Sequence, residues 1–133
     1  MKQIIVIVAM LVSWSTIAVA QQCAEDVLKV LYEELETIDS AGEERLAQSL
    51  EDLAKQEGWS ESERREFTLS ISDSPEVDET ESERTDLLAK IFGMAQRGNV
   101  DCTEIRRLHG HVLDLERRQW DAAVQQAEQR LWR

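Results

Sequence analysis

Residues 101–133, DCTEIRRLHGHVLDLERRQWDAAVQQAEQRLWR, decide the fold. Ile105, Leu108, Val112 and Leu115 recur at threes and fours. A second set, Leu113, Trp120, Val124, Ala127 and Leu131, carries the same spacing to the end. That is the period of an α-helix burying one face, and it predicts a single long helix over residues 101–132. At 1.5 Å per residue such a helix is about 46 Å long, against a radius of gyration of about 13 Å for a compact domain of this size. The expectation is therefore either a break at Gly110 or a C-terminal half that projects from the body. Beyond Leu113 the spacing resembles a coiled-coil seam, flanked by Arg117, Arg118, Glu128 and Arg130. Such a seam serves the chain's own core or a partner. In the second case Trp120, Val124, Ala127, Leu131, Arg117 and Arg118 form the partner-binding surface.

Working back along the chain, helical periodicity recurs and no strand pattern competes. Ala24, Val27, Leu28, Leu31, Leu35 and Ile38 give a first helix. Asp39-Ser40-Ala41-Gly42 reads as its break, and Ser40 with Glu43 as a capping box opening a second helix that carries Leu46, Ala47, Leu50, Leu53 and Ala54. Gly58 suits a left-handed terminator. Ser60 and Glu63 repeat the box before a third helix with Phe67 and Ile71, with Trp59 packing inward, and Asp73-Ser74-Pro75 closes it. A third box, Thr80 with Glu83, opens a fourth helix with Leu87, Leu88, Ile91, Phe92 and Ala95, stopping at Gly98. The fold class is all-α: a small bundle of four to five helices with a long C-terminal helix and one disulfide.

The first twenty residues read differently. Lys2 precedes the uncharged apolar stretch Ile4 to Val12, and Ala18-Val19-Ala20 presents small residues at a signal peptidase site. This is the pattern of a secretory signal peptide over 1–20, with cleavage after Ala20 leaving a single acidic helical domain over 21–133. Gln21-Gln22 before Cys23 is a poor context for lipid attachment. The expected location is the periplasm or the exterior, where Cys23 and Cys102, the two cysteines, pair. Each lies at the start of an expected helix, so the bond sets the first and last helices off from a common end.

Charge is one-sided. Residues 21–90 carry 21 acids and 7 bases, whereas 91–133 carry 6 acids and 7 arginines. So negative a chain is repelled by nucleic acid and by anionic membrane surfaces, and it suits a soluble protein or one with a basic partner. The C-terminal arginines, Arg106, Arg107, Arg117 and Arg118 among them, either answer the acidic helices within the chain or dock a partner.

No motif carries chemistry. His109 and His111 point about 200° apart on a helix and read as partners of nearby carboxylates instead of a metal site. The acidic run Asp73 to Asp86 fails the calcium-loop register, with Pro75 at its third position and Arg84 at its twelfth. No serine sits in a Gly-x-Ser-x-Gly turn. Neither a cofactor nor an enzymatic activity is expected. The leading reading is an exported, non-enzymatic protein-interaction module binding another envelope protein, as an inhibitor, immunity or assembly factor does, or associating with itself through the C-terminal helix. The alternative is a periplasmic stress or holdase chaperone whose helices loosen to expose apolar faces; a metal-binding protein or an enzyme ranks below both.

Linking residues 79 positions apart removes about 4 kcal/mol of freedom from the unfolded chain. Replacing both cysteines by serine is expected to lower the melting temperature by roughly 10 °C or more. Thermal unfolding followed by circular dichroism checks it, and an unchanged melting point refutes the bond's role.

Overall fold

The computed structural model describes the backbone of residues 2–98 and 100–133, and side chains of residues 22–98 and 100–133. The expected leader and its cleavage motif thus lie outside the described side chains. Among the described residues there are four helices and no strand: α1 (Lys2–Glu57), α2 (Glu61–Ser72), α3 (Pro75–Arg97) and α4 (Cys102–Leu131). None of the described helices is long and apolar enough to cross a membrane.

The helix count falls to four because the expected break at residues 39–42 does not occur; α1 runs through it. Gly42 is there for packing. It is buried within α1, and a Cβ built on it would fall inside the indole of Trp120. Asp39, one turn earlier, accepts a hydrogen bond from Trp120 Nε1 at 2.8 Å. The breaker-like residues are thus a seat for a tryptophan from α4, and that tertiary contact outweighs the roughly 1 kcal/mol that a mid-helix glycine costs. The expected box of Ser40 and Glu43 is consequently helix interior.

Most of the expected helix boundaries are found, among them the end of α2 at Asp73-Ser74-Pro75 and the start of α4 after Asp101. α1 stops at Gly58, φ +68°, and α3 at Gly98, φ +65°, left-handed positions that favour glycine. Ser60 and Glu63 form the full reciprocal box at the start of α2, and these hydrogen bonds, with the Ser60 backbone foremost, hold the Glu63 carboxyl below its ordinary range. The expected start of α3 at Thr80 is corrected. Pro75 at the first turn, after the N-cap Ser74, opens the helix six residues earlier, because proline is preorganised there and its missing N–H is not needed. Thr80 Oγ1 instead donates back to the carbonyls of Glu76 and Val77.

Helix α4 is capped by Asp101, which accepts from Thr103 N and Glu104 N, and runs unbroken through Gly110. It does not project. Its partner α1 is longer, and the two run parallel with a near-constant offset. Arg45 meets Asp121, Gln56 meets the Leu131 carbonyl, and Arg130 meets Glu57. Cys23 and Cys102 pair at disulfide distance, Cα to Cα 6.1 Å, at the common end. Cys102 opens α4 as expected, whereas Cys23 lies within α1. On the other flank α3 runs antiparallel to α4: Gln126 donates to Ser74, and Arg84 to Glu116. Two neighbours explain the two apolar stripes of α4. Leu31, Ile91, Leu108 and Val112 form the middle of the core; Leu50, Ile71, Val77, Ala123 and Ala127 form the end that α2 covers.

Gly42→Ala isolates the seat. In an exposed helix the change would stabilise by about 1 kcal/mol; here it should lower the melting temperature. In a Trp120→Ala background the penalty should vanish. A Gly42→Ala protein that melts above wild type would refute the seat.

Candidate functional site

Helices α1 and α3 both pack on α4 but scarcely on each other, so an open groove of 580 Å³ remains between them. Its mouth carries aromatic rings. Tyr32 of α1 and Phe92 of α3 approach to 6.3 Å between ring centroids, yet remain 56 % and 37 % exposed. Leu35 and Leu88 continue the apolar walls, with Glu36 and Glu43 on the α1 side. The helical period accounts for the arrangement: Leu31 and Ile91 point into the core while their neighbours turn outward, Tyr32 onto the groove and Phe92 beside the Tyr32 ring.

The floor of the groove is charged. Glu116 of α4 is buried to 3 % exposure and accepts from the Arg84 guanidinium of α3. Asp39 of α1 faces the same carboxyl and also holds the Trp120 indole. Burial pushes the Glu116 carboxyl up to about 7, a shift deepened by its hydrogen bond with Asp39 and opposed by Arg84. Past this cluster the groove opens into a second cavity of 310 Å³, walled by Trp120, Ile71 and Val77 and sharing Asp39, Glu43, Arg84 and Glu116 with the first. Two buried polar atoms of its lining residues have no partner: Gln119 Oε1 and Arg84 Nε.

The residues expected to form a partner surface on α4 are dispersed by the fold. Val124 and Ala127 are buried at 1 % and 0 % exposure and so are core positions, and Trp120 is partly buried with its indole turned onto α1. The seam spacing is real, but it meets α1 of the same chain. Leu131 is partly buried and Trp132, 86 % exposed, ends the helix in the open. Arg117 pairs with Asp114 and Arg107 with Glu104, both within α4, so these arginines do not answer the acids of the other helices. That task falls to Arg130, which bonds Glu57 and stacks on Trp59 and Phe67, and to Arg45 and Arg84 reaching α4 acids. His109 and His111 lie near carboxylates of other helices, Glu34 of α1 and Glu83 of α3. The acidic run from Asp73 is largely the first turns of α3, and no group of potential metal ligands gathers among the described residues.

The Asp39–Arg84–Glu116 cluster escapes sequence reasoning. With 27 acids in the chain, no one of them signals burial. The sole hint is Glu116 itself, sitting beside Leu115 on the apolar side of α4. The chain matches no known family model, no curated protein and no solved structure.

The titration of Glu116 has a definite sign. Its folded-state pKa lies above its unfolded value, so folding takes up a proton. The stabilisation is complete below the unfolded value, near 4.5, and is lost as pH rises through about 7. Between pH 5 and 8 the melting temperature should fall by several degrees, equivalent to roughly 1–3 kcal/mol. Glu116→Gln, an isostere of the protonated acid, should flatten that slope. A wild-type protein that grows more stable over this range would contradict it.

Proposed function

We propose that the chain is an exported, non-enzymatic interaction module that binds another envelope protein, in the manner of an inhibitor, an immunity protein or an assembly factor. The observation that carries this reading is the Tyr32–Phe92 pair, two aromatic rings left exposed at the mouth of an acid-rimmed groove. Rings at the surface of a bundle cost solvation that a partner's cover recovers, and aromatic residues are the commonest interface anchors. The leader-like residues 1–20 and the paired cysteines favour an oxidising, exported setting. The surplus of acids favours a partner whose surface is basic.

An acid-opened holdase is the less favoured reading, because protonating Glu116 supports the packed state instead of loosening it. Self-association through α4 is likewise less favoured: the seam residues Val124 and Ala127 are spent inside the chain.

The test is retention from envelope extract on immobilised, oxidised protein. A partner should be retained by wild type and by Trp132→Ser, and reduced at least about tenfold by the double variant Tyr32→Ser/Phe92→Ser, whose substitutions touch exposed rings. Protein recovered from the envelope should begin at Gln21. Equal retention by wild type and the double variant would overturn the groove reading, and an intact leader would overturn the export reading.

A further inference from the structure

We infer that the inner cavity beneath the α1–α3 groove is an anchor pocket for one arginine or lysine side chain of a partner's peptide segment. This rests on the interaction reading above and gives it a chemistry. The groove supplies an approach lined by Tyr32, Leu35 and Leu88, which suits an apolar segment. The floor supplies the charge preference: two carboxylates, Asp39 and Glu43, and the buried carboxyl of Glu116 face the single guanidinium of Arg84. A cation entering between Asp39 and Glu43 corrects that imbalance, and an anion worsens it.

The apolar approach walled by Tyr32, Leu35 and Leu88 favours a peptide segment over a free amine. The cavity, at 310 Å³, exceeds what one arginine side chain fills, and the wall formed by Trp120, Ile71 and Val77 covers its methylene stem.

The charged and titratable groups around Glu116 are Asp39 and Glu43 from α1 and Arg84 from α3, with Trp120 and Gln119 beside it on α4. A bound cation favours the ionised form of Glu116, so binding expels a proton and tightens as pH rises from 6 to about 8.

The probes are the acetylated, amidated tripeptide Leu-Arg-Leu, the same peptide with citrulline as a neutral isostere, and butylguanidinium alone. The readout is the Trp120 indole N–H resonance, whose proton is held by Asp39 at the pocket. The arginine peptide should shift it saturably with Kd about 1–10 mM, as befits a fragment. The citrulline peptide should bind at least about tenfold more weakly, and butylguanidinium should bind more weakly than the arginine peptide. Glu43→Gln, an exposed change, should weaken the arginine peptide about threefold to fivefold without altering the melting temperature. Equal binding of the arginine and citrulline peptides, or the absence of any saturable shift, overturns the pocket. Butylguanidinium matching the arginine peptide overturns the peptide selectivity. None of these results alters retention of a partner through Tyr32 and Phe92, so the pocket can fail while the interaction module stands.

Discussion

The indole of Trp120 rests on Gly42 with its N–H given to Asp39, and the parallel run of α1 beside α4 depends on that seat. A side chain at 42 would hold the two helices apart at their midpoint. Close approach there aligns the flanking pairs, Arg45 with Asp121 and Arg130 with Glu57, and keeps the two cysteines in reach of each other at the opposite end. The contact has a chemical consequence as well. It fixes the Asp39 carboxylate on the side of α1 that faces Glu116, and so creates the charged floor of the groove.

The same geometry explains why an acidic chain folds around few cross-helix ion pairs. Most of its acids lie on solvent faces, where repulsion is screened and each pair contributes little. The exception is the Arg84–Glu116 pair, buried under the groove, where desolvation outweighs the neighbouring guanidinium and favours the neutral acid. A protein built this way keeps a proton in its interior near neutral pH and a negative face outside.

The shape also accounts for where the open surface lies. α4 is covered on two sides by α1 and α3 and at one end by α2, so its long apolar stripe is consumed within the chain. α1 and α3, each held by α4, have no reason to close on one another. What they leave between them is the groove.

Much of this was legible in the order of residues. Helical periodicity, the box at Ser60 and Glu63, the terminators Gly58 and Gly98, the start of the last helix near Asp101 and the pairing of two cysteines all follow from contacts between near neighbours, or from chemistry that needs no geometry. The one-letter string could not reveal what Gly42 faces. A glycine among Asp, Ser and Ala is a helix breaker by local rule, and becomes a packing seat only when a tryptophan 78 positions onward is brought against it. Likewise the seam of Trp120, Val124 and Ala127 has the same spacing whether it meets another chain or its own α1. Local spacing fixes which residues share a face; tertiary structure alone decides what that face meets, because the partner of a helix stripe is chosen by the whole bundle's closure. The carboxyl of Glu116 is the clearest case, since its neutral state depends on burial and on two groups from other helices, none of them near it in sequence.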